Sequence, residues 1–350
     1  MQTRPLGRTG LSVGVIGLGT EYLVGAPRET VISVVREAAS RGVNYFDVLF
    51  SYPAYRDNLG AALEGLRDSI LVAGHIGAAE TNGQYRRTRD IAECERLFED
   101  LLSRLKTDYV DVAVLQFVDE EDDYAQVMGP GGLLELAQRY QRQGKARFIG
   151  MSGHKAPVAL KAAQSGQINV LMHNVSLLLH STAGMAELFR TCTARQVGLV
   201  GMKPFAGGEL LRRSATPIQC ISYGLSQPGV CTLVPGVKNL DELRATLAYL
   251  EASEEERDFS AVLAVLAGVE TGICVYCNHC LPCPAGINIG EVLRLAVAAE
   301  GHAPSPLLEQ YKLSPVKASE CTECGACTER CPFGVDVIAR MKEAAARLER

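Results

Sequence analysis

The chain has 350 residues, 47% hydrophobic and 21% charged, a balance that fits a soluble globular protein and excludes a disordered or fibrous one. Its formal net charge of −5 comes without a Lys or Arg run, so a nucleic acid is excluded as the main partner. No apolar segment reaches the ~18 residues of a membrane span, and the expected location is the cytoplasm.

At the N-terminus, "MQTRPLGRTG" followed by "LSVGVIGLGT" imitates a secretory signal. The apolar run is rich in Gly, passes directly to Glu21 and alternates like a strand, so it is read as the start of the fold. From there β-branched runs alternate with amphipathic helical patterns. The predicted strands are "GVIGLG", "NYFDV", "ILVAGH", "VDVAVLQ", "RFIGMS", "INVLMH", "GLVGMK" and "VCTLVP". Between them stand helical stretches such as "RETVISVVREAASRG" and "DIAECERLFEDLLSRLKT", with apolar residues at three- and four-residue spacing. Eight such units over about 250 residues predict an α/β chain folded as a (β/α)8 TIM barrel. The alternative is an open doubly wound sheet, but no G-x-G-x-x-G follows the first strand.

The expected division is a barrel over 1–253, a helical linker over 254–270 and a small, mainly helical, ferredoxin-like domain over 271–350. Twelve cysteines support it. Cys94, Cys192, Cys220 and Cys231 are scattered through predicted helices and strands, as buried structural thiols are. The other eight fall in two blocks, "CVYCNHCLPCPAGINI" and "CTECGACTERCPFGVDV", too concentrated for a secreted disulfide framework.

Three thiolates at C-x2-C-x2-C converge on one face of an iron–sulfur cluster. As in two-cluster ferredoxins, the cysteine before proline would serve the other cluster. Cys274, Cys277 and Cys280 would then share one [4Fe–4S] cluster with Cys331, and Cys321, Cys324 and Cys327 the other with Cys283. Two four-cysteine zinc sites are the alternative, although the third cysteine of each run and the Cys-Pro endings exceed a zinc pattern. The first block departs from the second by having two residues, not three, before its last cysteine.

The segments "RPLGRTGLSVGVIGLGT", "YFDVLFSYP", "DYVDVAVLQ", "GKARFIGMSG" and "LSQPGVCTLVPGV" together resemble the aldo-keto reductase family, and with the cysteine blocks the branch bearing a ferredoxin-type domain. The resemblance implies NADP(H) at the C-terminal end of the barrel and a Tyr, Lys, Asp and His tetrad that reduces a small carbonyl or oxidises an alcohol. Mapped by motif, Asp47 and Tyr52 are retained, His75 stands at the lysine position and Gln116 at the histidine position. A phenol of pKa near ~10 donates its proton readily only when a cation lowers that value, a task His75 performs when protonated. Gln116 can donate an N–H to a substrate oxygen. Cofactor contacts are implied at Ser152, Lys203, Gly236, Lys238 and Arg244, while Gly153 and Met172 replace the family's usual Asn and Gln.

His154, His173 and His180 complete the histidines near the predicted strand ends, and are expected to contact substrate or hold hydrogen bonds. Three functions stay open. The first is an NADP(H)-dependent reductase with two clusters. The second is a relay in which a ferredoxin or flavoprotein passes electrons through the clusters to a substrate or flavin in the barrel. The third is a ligand-binding barrel without turnover.

Overall fold

A computed structural model of the chain describes residues 1–266, 272–299 and 306–349. The end of the expected linker (267–270), residue 271 where the third region is expected to begin, and the end of the helix expected over "IGEVLRLAVAAEG" lie outside them. The chain divides into two compact units, one comprising 1–79 with the segment from Arg87 to the end of the barrel sequence, the other comprising Glu80–Arg86 with the cysteine-rich segment.

In the first unit the eight predicted strands form one parallel sheet. They are β1 (Leu18–Gly19), β2 (Tyr45–Val48), β3 (Leu71–Ile76), β4 (Val110–Leu115), β5 (Ala146–Gly153), β6 (Val170–Asn174), β7 (Gly198–Met202) and β8 (Val230–Val234), paired in sequence order. Parallel bridges Ile16–Leu233 and Gly19–Gly236 join the last strand to the first. The sheet is therefore the closed barrel, not the open alternative. Side chains alternate across each strand, and one set fills the interior: Tyr45, Ala73, Val112, Val114, Val170, Met172, Val200 and Met202 form a single buried cluster. An antiparallel hairpin, Thr3–Pro5 with Ser12–Gly14, adds Leu6 and Val13 to that cluster.

The surrounding helices follow the sequence signals. Ile91–Leu105 begins where the Asp90 side chain accepts from the Glu93 amide at 2.7 Å, satisfying one of the donors a helix start leaves unpaired. It buries Cys94, Phe98, Leu101, Leu102 and Leu105, at the spacing of one helical face. Helix Pro53–Leu63 carries Arg56, whose side chain is 1% exposed. Its guanidinium donates to the carbonyls of Phe50 and Leu97 and to Asp100, all within 3.0 Å. Burial lowers its pKa, and Asp100 is the main opposing influence. Arg56 thus fixes the loop after β2.

The second unit is mainly helical. Ile289–Ala298 and Val337–Leu348 pack on each other, over a core that includes Ile287, Ile289, Val292, Leu295, Val337 and Met341. Asn288 and Asp336 cap the two helices through their side chains. The cysteine blocks themselves have little regular structure apart from a short helix, Ala326–Glu329. None of the eight cysteines of this unit is joined in a disulfide.

Candidate active site and metal centres

At the C-terminal ends of the strands, the interior row changes from apolar to polar. Asp47, His75, Gln116 and Asn174 each stand two residues beyond an inward apolar residue, Tyr45, Ala73, Val114 and Met172, so the pleat turns all four to the same interior. All four are buried. His75 Nε2 lies 2.8 Å from Asp47 Oδ1, and its Nδ1 bonds Gln116 Oε1. Three of the four residues mapped as the tetrad are thereby joined in one chain of hydrogen bonds. The fourth, Tyr52, is half-buried at the start of helix Pro53–Leu63, its ring centroid 5.4 Å from that of Phe50.

The loops behind this row hold it in place. Gln116 is followed by Phe117, whose φ of 42° lies in the left-handed region, a strained setting for a bulky residue. Arg89 secures it, donating to the Gln116 carbonyl at 2.9 Å while its Nε and Nη2 each bond Asp123 at 2.7 Å. Beside it, Arg87 donates to the Phe117 carbonyl at 2.7 Å. On the other side, Thr20 donates its hydroxyl to the Asp47 carbonyl at 2.6 Å and accepts from the Tyr55 hydroxyl.

Glu21 was not singled out as a site residue in the sequence. A Cβ on Gly19 would lie 2.7 Å from its Oε2, and one on Gly236 would lie 2.9 Å from its Oε1. The two glycines where the first and last strands meet thus leave room for this carboxylate. Burial pushes the Glu21 carboxyl up, opposed by the charge of Lys203 and reinforced by that of Asp47, with His75 a smaller lowering influence. Lys203, at the end of β7, has φ 56°. Tyr55, also unforeseen, is raised by burial, with Asp47 and Glu21 contributing through their charge.

Asn174 Nδ2 reaches the His154 carbonyl at 3.5 Å, and its buried Oδ1 has no hydrogen-bond partner among the described residues. An orphaned acceptor of this kind carries a desolvation penalty unless a donor meets it. Ser152 is already engaged, its hydroxyl accepting from the Phe117 amide at 3.0 Å. Lys238 and Arg244 are exposed, Lys238 lying 5.7 Å from the Tyr22 ring centroid and Arg244 3.7 Å from Asp241.

The remaining histidines are set by hydrogen bonding and burial. His154 Nδ1 pairs with Asp119 Oδ2 at 3.1 Å, and Asp119 Oδ1 accepts from the amides of His154 and Lys155. His180 Nδ1 lies 3.3 Å from the Tyr223 hydroxyl. The alternation of β6 turns His173 away from the interior row, and burial lowers its pKa to about 4.

In the second unit, Cys283, Cys321, Cys324 and Cys327 line one cavity together with Cys280 and Arg330. Burial pushes the Cys280 thiol up, and the charges of Cys277, Cys274, Cys327 and Cys331 add to the effect. Cys331 is raised by burial and by Cys277, and Cys327 by burial and by Cys321. Convergent thiols resist ionising together, and a soft cation removes that repulsion. The donor set therefore fits iron–sulfur clusters.

A family model described as the aldo/keto reductase family matches residues 11–220, and one for a 4Fe-4S dicluster domain matches 273–338. The chain belongs to the aldo/keto reductase family. This aldo/keto reductase is an oxidoreductase with a C-terminal 4Fe–4S domain. It is 25% identical over 262 residues to the uncharacterized oxidoreductase YqkF of Bacillus subtilis, covering 72% of this chain and 81% of the relative. It is also 25% identical to pyridoxine 4-dehydrogenase of Escherichia coli, covering 74% and 94%. Among solved structures, the fold matches the holo form of an aldo-keto reductase from Bacillus halodurans at TM-score 0.64 and 23% identity, over 76% of this chain and 96% of that one.

Proposed function

We propose that the barrel is an NADP(H)-dependent carbonyl and alcohol site and that the cysteine unit holds two [4Fe–4S] clusters. The observation that carries the first part is the buried chain Asp47–His75–Gln116 at the strand ends. Asp47 and Gln116 hold the two ring nitrogens of His75, which stands where the family has lysine, and Asp47 orients the ring, leaving Tyr52 to move the proton at the substrate oxygen. The Glu21 carboxyl, raised by burial between Asp47 and Lys203, is a second group able to hold a proton there.

A nicotinamide bound in this mouth supplies or accepts hydride. The orphaned Asn174 Oδ1 fits the amide donor of such a ring. Gly236 and Lys238, just before helix Leu240–Leu247, fit its phosphates. The ligand sets are crossed, Cys274, Cys277 and Cys280 with Cys331, and Cys321, Cys324 and Cys327 with Cys283; Cys283 lines one cavity with Cys321, Cys324 and Cys327, beside Cys280. Each cluster carries one electron at a time.

The test is anaerobic titration with NADPH, followed by fluorescence, and then reduction of 4-nitrobenzaldehyde. Binding and oxidation of NADPH are expected, with turnover lost in Tyr52→Phe and binding retained. Absence of NADPH binding to the wild-type protein refutes the barrel reading. Iron-free preparations, or preparations holding zinc, refute the cluster reading.

A further inference from the structure

The two cysteine blocks differ at their crossing ligand. Three residues, Thr328, Glu329 and Arg330, separate Cys327 from Cys331, but only Leu281 and Pro282 separate Cys280 from Cys283. A C-x2-C spacing lets neighbouring sulfurs converge on one metal centre, so the short spacing alone would leave Cys283 with its own block. It lines one cavity with Cys321, Cys324 and Cys327, a cavity that Cys280 of its own block lines as well.

Both ends of the peptide group before Cys283 are held. The Pro282 carbonyl accepts from Arg330 Nη2 at 3.0 Å, and the Cys283 amide donates to Gln84 Oε1 at 2.8 Å. Arg330 is itself fixed to the other block, its Nε donating to the Ala326 carbonyl at 2.8 Å. Gln84 comes from Glu80–Arg86, the stretch of barrel sequence that belongs to the second unit. At the matching position of the other block, the Cys331 amide is satisfied within its own turn by the Thr328 carbonyl at 3.2 Å. One crossing ligand is thus held locally, and the other by a side chain 199 positions away.

We infer that Gln84 and Arg330 clamp the Pro282–Cys283 peptide and so direct Cys283 to the second cluster as its fourth thiolate. Both act as positioning residues, through the peptide and not on iron. Partners of this kind orient metal ligands and are felt in affinity and potential. The inference rests on the two-cluster reading, and the experiment separates the two.

The full-length protein is reconstituted anaerobically as wild type, Gln84→Leu, Gln84→Glu and Cys283→Ala. Iron and sulfide per chain, the electron paramagnetic resonance of the dithionite-reduced protein and the midpoint potentials are then compared. Gln84→Leu keeps the bulk but loses the acceptor. It is expected to match Cys283→Ala, with iron and sulfide reduced by up to about half and the signal of one cluster lost or shifted in potential. Gln84→Glu keeps an acceptor oxygen and should retain both signals. Arg330→Met acts on the other end of the same peptide and should give the same loss, which preserves the test if Gln84→Leu folds poorly. Full wild-type loading with Gln84→Leu and Arg330→Met unchanged in content, signal and potential overturns this inference alone. A wild-type protein that takes up one cluster or none overturns the two-cluster reading and this inference together.

Discussion

The barrel mouth and the cysteine unit both bring polar groups together in buried surroundings, but by opposite means. Asp47, His75 and Gln116 come from three strands and meet because the pleat and pairing of a large apolar barrel place their ends side by side. The cysteines stand within two short blocks with little regular structure, joined by a few polar contacts and a modest core. The barrel site rests on a scaffold with an extensive apolar core of its own, whereas the cysteine blocks are themselves packed against the core of their unit, so removing a ligand is expected to affect the two regions very differently.

The largest expected effect follows removal of iron by a chelator under reducing conditions. Binding energy of a structural metal is also folding energy, so amide exchange across 272–349 should accelerate by orders of magnitude while the barrel strands keep their protection. Equal protection of the cysteine unit with and without iron would erase that contrast. Next is Arg56→Ala in the barrel, which leaves the Phe50 and Leu97 carbonyls and Asp100 without their donor. A loss of about 3 kcal/mol is expected in urea unfolding.

A similar effect is expected from pH. Burial lowers the pKa of His173 from 6.5 to about 4. Its contribution is therefore full above pH 6.5 and lost as pH falls toward 4, by about 3 kcal/mol in all. Unfolding of the barrel measured at pH 7 and pH 4.5 should show this, and His173→Leu should flatten that part of the profile. A profile unchanged by the substitution would mean that another group dominates.

The smallest effect compares like with like. Asp90→Ala and Asp336→Ala each remove a side-chain cap from a helix, one in the barrel and one in the cysteine unit. Each should cost about 1 kcal/mol. A smaller cooperative unit has a smaller unfolding entropy, so the melting temperature of the cysteine unit should move further for the same loss.

The strands were readable because each apolar, β-branched run must be buried on both faces of a parallel sheet. Asp47, His75 and Gln116 were readable through motifs at strand ends. Glu21, Tyr55 and Asn174 carried no such local signal. Glu21 follows a Gly-rich strand in the manner of any loop acid, and only the pairing of β1 with β2, Gly19 opposite Asp47, brings its carboxyl near Asp47. The pairing of Asp119 with His154 likewise joins loops after different strands. Gln84 lies in an ordinary hairpin between Ala78–Thr81 and Gln84–Arg87, and sequence spacing gives no hint that Cys283 depends on it. Local patterns report which residues must be buried, whereas pairings across the chain wait on the fold.

The four scattered thiols have a practical consequence. Cys94, Cys192, Cys220 and Cys231 are buried, and burial raises Cys192 and Cys220 to about 12; a thiol held in that form is a poor nucleophile toward an alkylating reagent. Prompt labelling of the native chain would therefore come from its tail alone. Burial raises Cys280, Cys327 and Cys331 in the tail as well, so the mass added by iodoacetamide before and after metal loading would show how many of the other tail thiols, exposed Cys324 foremost, a bound metal shields.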